Sequence, residues 1–137
     1  MSDAGKKLLG VAGERVAADF LVARGWQILD RNWRYRSWEL DLICRQEDTI
    51  VFVEVKTRRS GGMTGPQDAF NRNKQRTLVK AARAWLAQKN AWSANCRFDL
   101  VVVTRMENSF QMELICDVIQ LAPGNPVSGR YSHWQPW

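Results

Sequence analysis

The chain has 137 residues, 45% of them hydrophobic and 25% charged, which fits one domain with a real core and excludes a disordered chain. Lys and Arg number 20 against 14 Asp and Glu, a net charge of +6. That balance points to a polyanionic partner, nucleic acid first and membrane surface second, with a merely basic protein as the plain alternative. No apolar run reaches the roughly 18 residues of a membrane span. The N-terminal stretch carries charges where a signal peptide needs an apolar segment. Cytoplasm is therefore the expected location, with no membrane partner. Cys44, Cys96 and Cys116 are far apart and lack zinc-site spacing. Each lies in or beside an apolar run, so buried free thiols in a reducing compartment are expected.

Residues 1–7 read as a loose polar arm. From Leu8 or Leu9 to about Arg24, the recurrence of Leu9, Ala12, Val16, Phe20 and Ala23 predicts a helix, ended by Gly25. Glu14 lies at the edge of that stripe and reads as a surface glutamate. Trp26 to Arg34 reads as a strand, with Trp26, Ile28 and Asp30 on one face. Arg31, Arg34 and Arg36 then interleave with Trp33, Tyr35 and Trp38. This pattern suits a phosphate-tracking, base-stacking surface, or equally a twisted edge strand with solvated arginines.

Trp38 to Thr57 predicts a β-hairpin. Leu40, Leu42 and Cys44 alternate with charged or β-branched residues before the turn, as do Val51, Val53 and Val55 after it. With Glu47 and Asp48 as a two-residue turn, Asp41 faces Glu54 and Glu39 faces Lys56, all on one face. Two readings stand: a solvated face with cross-strand ion pairs, or a cation site relieving the repulsion of two carboxylates. Mg²⁺ is typically held by one or two carboxylates plus water and phosphate. Ile50 to Lys56 is apolar on both faces, as in a covered central strand, and charges ending such a strand need partners or a function.

Thr57 to Pro66 reads as a flexible Gly-rich loop that carries Arg58 and Arg59 beside the hairpin. Gln67 to about Asn90 predicts a second helix with Phe70, Leu78, Ala81, Ala82 and Trp85 inward. Lys74 falls between Phe70 and Leu78, either aimed at the sheet or snorkelling. Arg72, Arg76, Lys80 and Arg83 decorate the outer face. Cys96–Arg105 predicts a buried strand interrupted by Asp99, a structural acceptor for arginine or backbone N–H. Phe110–Leu121 predicts the last strand. The domain is expected to span residues 1–121, with a Pro/Gly-rich tail over 122–137. The one histidine, His133, sits in that tail, which disfavours Ser-His-Asp and Cys-His chemistry. The order α-β-β-β-α-β-β implies an α+β fold, a mixed sheet with a helix on each face.

Asp41, followed on the next strand by Glu54-Val55-Lys56, resembles the PD-(D/E)XK nuclease motif. The ordered blocks GERVAADFLVARGWQILDRNWR, WELDLI, VFVEVKTR and RFDLVVV resemble the YraN family of small uncharacterised bacterial proteins, over roughly Gly10 to Ala122. That family usually has Gly before its Glu-(Ile/Leu)-Asp, where this chain has Trp38. Trp38 there would narrow the site or stack on a base. The resemblance implies a restriction endonuclease-like core whose acid-bearing strands splay, with the metal at their open end. It implies hydrolysis of phosphodiester bonds in DNA with Mg²⁺ or Mn²⁺. Asp41, Glu54 and the Val55 backbone carbonyl would be metal ligands, with Glu14 a further candidate ligand. Lys56 would orient or deprotonate the attacking water. Glu39 and Lys74 would support the site, and Arg34, Arg36, Arg58 and Arg59 would bind nucleic acid. Two rivals remain: a non-catalytic nucleic-acid-binding protein with a vestigial site, and a protein-interaction adaptor. The oligomeric state stays open, a homodimer included.

Overall fold

Residues 3–61 and 70–119 are described by the computed structural model. The expected loop over 62–66, the expected helix start at Gln67 and the tail with His133 lie outside them. Helix α1 (Asp3–Ala23) is followed by strands β1 (Gln27–Tyr35), β2 (Trp38–Gln46) and β3 (Thr49–Arg59), helix α2 (Arg72–Gln88), then β4 (Asn95–Arg105) and β5 (Phe110–Ile115). The strands form one mixed sheet in the order β1-β2-β3-β4-β5. Only β3 and β4 are parallel, joined through α2. This is the α+β fold and the element order that the sequence predicts.

The helices cover opposite faces of the sheet. Ala17, Ala18 and Leu21 of α1 pack on Leu42, Cys44, Val51, Val53, Val101 and Val103. Leu78, Ala81, Ala82, Trp85 and Leu86 of α2 pack on Ile43, Ile50, Phe52, Phe98 and Leu100. Burial of β3 and β4 on both faces explains their nearly continuous apolar sequences.

Helix α1 corrects two expectations. The polar arm is already helical from Asp3, since Ala4, Lys6, Lys7 and Leu8 are strong helix formers. The most buried line runs through Gly13, Ala17 and Leu21, with Val16 and Phe20 of the expected stripe packed at its margin and Ala23 exposed. Small residues let the helix lie close on the sheet. A Cβ at Gly13 would stand 2.0 Å from Thr57 Oγ1 on β3. Gly25, at φ +90°, ends the helix as expected, and the Trp26 amide returns to the Leu21 carbonyl at 3.0 Å.

Other boundaries move for local reasons. Thr57, Arg58 and Arg59 belong to β3, paired with β4 as far as Arg105, and not to a flexible loop. Helix α2 starts at Arg72, where the Asn71 side chain accepts the Lys74 amide at 2.8 Å. Strand β5 stops at Ile115, short of the expected Leu121. There the buried Asp99 accepts the Asp117 amide at 2.9 Å and draws the chain aside. Asp99 also accepts Arg97 Nε at 3.0 Å, the acceptor role read from the sequence. Cys44 and Cys96 are buried free thiols, pushed by burial up to about 12. Cys116, just past the end of β5, is exposed instead. Among the described residues, no helix is long and apolar enough to cross a membrane.

Candidate functional site

The β2–β3 hairpin has the register that the turn predicts. Gln46 pairs with Thr49, Ile43 with Phe52 and Leu42 with Val53, and Glu47 takes the left-handed φ of +54° that a two-residue turn requires. The ladder ends at Leu42 and Val53. Beyond it the Val55 amide donates to Asp41 Oδ2 at 2.8 Å, so a side chain stands where a ladder carbonyl would. Just past the end of the ladder the Asp41 and Glu54 carboxyls lie close enough to act on each other's proton affinity.

Strict alternation fails at this level. Leu40 packs on the α2 side with Ile43, while Leu42 packs on the α1 side. Opposite the break, Asn32 of β1 adopts φ +48° inside a strand. Glu39 leaves the single row with Asp41, Glu54 and Lys56 but stays near the site, where its charge raises Asp41, Glu14 and Lys74. It opposes Arg34 of β1 at a separation of 3.6 Å, and the β2–β3 ladder supplies no Glu39–Lys56 pair. That ion pair is largely solvated and contributes little to stability.

Each helix sends one charged residue to the acidic pair. From α2, Lys74 Nζ lies 3.1 Å from Glu54 Oε1; the Glu54 side chain is only 13% exposed and that of Lys74 40%. Lys74 is thus aimed at the sheet. From α1 comes Glu14, held above the usual carboxylate range by burial and then by the charges of Asp41 and Glu39, with an Asn32 hydrogen bond acting against them. Burial raises the Asp41 carboxyl as well, against the Val55 amide and Lys74. Glu54 is pushed up to about 8, first by burial and then by Asp41, while Lys74 pulls it down. Burial lowers the Lys74 ammonium, but Glu54 and Asp41 outweigh it and the net shift is upward. Burial and mutual repulsion thus favour retention of a proton by the pair, next to the Lys74 ammonium.

Lys56 and the Val55 backbone border the same 540 Å³ cavity as Glu14, Glu54, Arg58 and Arg59. Arg58 is partly buried, its Nε donating to Thr104 Oγ1 at 3.1 Å. Arg59 is exposed. Arg36 is exposed at the β1–β2 turn, remote in the chain from this cavity. Among the described residues, no three carboxylate, imidazole or thiol groups are arranged to hold a metal ion. The donors available are two carboxylates and one backbone carbonyl, which suits a largely hydrated Mg²⁺ or Mn²⁺ and not a closed cage. A cation displacing the shared proton would also neutralise a pair whose repulsion is already expressed in Glu54.

Sequence reasoning missed Asn32. An Asn inside a strand pattern, next to an unpaired apolar alternation, is the signal that marks it.

The layout is that of an α+β protein, a five-stranded mixed sheet between two helices with an acidic pair just beyond the end of the β2–β3 ladder. The chain belongs to the uncharacterised protein family UPF0102, whose family model matches residues 13–103. A UPF0102 protein of Nitratidesulfovibrio vulgaris is 48% identical over 128 residues, covering 93% of this chain and 94% of the relative. Relatives from Geobacter sulfurreducens and Lawsonia intracellularis are 44% and 35% identical, covering 85% and 94% of this chain and 91% and 96% of their own lengths. Among solved structures, Pyrococcus furiosus SfsA in complex with Ca²⁺ aligns with a TM-score of 0.37 and 15% identity, over 81% of this chain and 62% of that one. Overlap that slight carries no argument about activity.

Proposed function

We propose that this protein is a divalent-metal-dependent nuclease that hydrolyses phosphodiester bonds in DNA. One observation carries the reading: Asp41 and Glu54 meet where β2 and β3 part, so buried that Glu54 keeps its proton to about 8. A carboxylate shifted by burial and by a specific charged partner, bordering a cleft, is a functional-site candidate. Mg²⁺ or Mn²⁺, when bound, supplies polarisation of the phosphate and a water of lowered pKa. Asp41, fixed by the Val55 amide, and Glu54 would hold the ion, with the Val55 carbonyl and Glu14 of α1 as further donors. Lys56, on the same strand as Glu54, orients the water and offsets the negative charge developing on phosphate. Lys74, 3.1 Å from Glu54, would balance the charge of the pair where no ion is held. Arg58, Arg59, Arg34 and Arg36 supply the cationic surface for the DNA backbone.

A second reading, a non-catalytic DNA-binding protein, draws on the same Lys74: an ammonium 3.1 Å from Glu54 fills part of the place of a cation. Calorimetric titration with Mn²⁺, with and without DNA, separates the two. Saturable binding lost in Asp41→Asn/Glu54→Gln, together with cleavage of duplex, single-stranded or branched DNA, supports the nuclease. Carboxylate-independent metal binding and no cleavage leave the binding protein, whose DNA affinity falls steeply with salt.

A further inference from the structure

We infer that the β1–β2 turn and the adjacent face of α2 form a stacking platform for single-stranded DNA beside the acidic pair, an inference that rests on the DNA-directed reading above. Three aromatic rings form a row on the α2 side of the sheet. Trp33 and Tyr35 stack with ring centres 6.1 Å apart and planes 6° apart. Tyr35 and Trp38 are directly opposed across the ladder, with ring centres 5.8 Å apart. A cation stands over two of the rings: Arg36 lies 5.5 Å from the Tyr35 centroid, and Lys80 of α2 lies 6.0 Å from that of Trp38. Arg36, in the left-handed region at φ +58°, makes the tight turn that brings its guanidinium back over Tyr35.

Arg83 and Trp92 extend the row into a groove of about 480 Å³ between the turn and α2. Among the described residues, no carboxylate borders it. Aromatic rings interleaved with guanidinium and ammonium groups are what a single strand requires, since bases stack on the ring and guanidinium planes that face the groove while phosphates meet the cationic N–H groups. A hairpin-tip aromatic cluster also supports folding. Folding alone, however, accounts neither for the missing acidic residues nor for Tyr35, a large side chain left 39% exposed. Duplex DNA presents no free base faces, so the groove selects unpaired nucleotides. Trp38 is three residues from Asp41 on β2, about 10 Å at roughly 3.3 Å per residue. That spans about three bases at a rise of about 3.4 Å each. The platform would hold an unpaired segment next to the bond presented to the acidic pair.

The test measures binding without catalysis. Fluorescence anisotropy of a labelled dT12 oligonucleotide and of a 12-base-pair duplex is recorded in EDTA, over a salt series, on the full chain carrying Asp41→Asn. Trp38→Leu and Tyr35→Leu, which keep apolar bulk, are expected to weaken dT12 binding roughly 5- to 100-fold and to leave duplex binding within about 2-fold. Lys80→Ala and Arg83→Ala are each expected to flatten the salt dependence for dT12 by about one unit of slope. Urea unfolding confirms that each variant is folded at the assay temperature; a variant that is not is replaced by Trp38→Phe, which keeps a smaller ring and is expected to retain binding within about 3-fold. Equal losses for single strand and duplex, or dT12 binding unchanged in both leucine variants, overturns the platform. Because no turnover is measured, an inactive acidic pair would overturn the nuclease reading and leave this result standing.

Discussion

If Asp41 and Glu54 share a proton at neutral pH, the stability of the protein must fall as pH rises, and Glu54→Gln must remove that fall. In the unfolded chain Glu54 titrates near 4.5; in the folded protein it titrates near 8. The folded state therefore binds more protons than the unfolded state between those values, and unfolding free energy decreases across that window. One pKa unit corresponds to about 1.4 kcal/mol, so the interval bounds the effect at about 5 kcal/mol. Proton sharing with Asp41, and the water that reaches Lys74, reduce it to an expected ~2–4 kcal/mol. The assay is urea unfolding followed by far-UV circular dichroism at half-unit steps from pH 5 to 9 in EDTA, on wild type and on Glu54→Gln. The wild-type curve should drop relative to the variant as pH rises and level off above about 8.5. With Mn²⁺ in place of EDTA the drop should shrink, because the ion binds the ionised pair and stabilises the folded state. Parallel wild-type and variant curves over the whole range would refute the shared proton, and with it the argument that the pair awaits a cation.

Further outcomes follow from the same geometry. Glu54→Ala or Lys56→Ala should abolish metal-dependent DNA cleavage with an unchanged circular dichroism spectrum; full activity in either purified variant would remove that residue from the chemistry. Lys74→Met removes the ammonium that lowers Glu54, so the pH midpoint of Mn²⁺ binding, read by calorimetry, should move upward. Gly13→Ala drives a Cβ into Thr57 Oγ1 and should cost about 1–3 kcal/mol, several degrees of melting temperature. In a Thr57→Ala background most of that loss should disappear, and a cycle with no coupling between the two sites would contradict the close approach of α1 to β3.

Much of this arrangement was legible in the sequence, and the reasons are specific. Gln46 to Thr49 is the only polar break between the two strand-like runs, and a two-residue turn at Glu47-Asp48 fixes every pairing from Gln46–Thr49 to Leu42–Val53. The approach of Asp41 to Glu54 follows from the same register. The position of Glu39 was not legible, because the facing of β2 side chains slips between Leu42 and Leu40, opposite the left-handed Asn32, and nothing in an alternating pattern announces where the count slips. The Lys74–Glu54 contact joins residues from a helix and a strand, so spacing along the chain left Lys74 undecided between sheet and solvent. The early end of β5 was hidden for a similar reason: it depends on a carboxylate from β4, not on the propensity of Cys116 to Ile119.

Strand β1 lies at the margin of the sheet, with its outer amides and carbonyls unmatched by any neighbouring strand among the described residues. Such a border invites a second copy to add itself, the first step of ordered aggregation. Three features of β1 discourage this. The pairing shifts at Leu29, Asn32 twists the backbone, and exposed Arg31 and Arg34 would face like charges on an incoming copy. Arg34, one of the arginines proposed to meet DNA, thus also stands with Arg31 as a gatekeeper against self-association. Replacing Arg34 to weaken DNA binding would make the protein stickier at high concentration, and a loss of activity in such variants has to be read beside light scattering before it is credited to lost phosphate contacts.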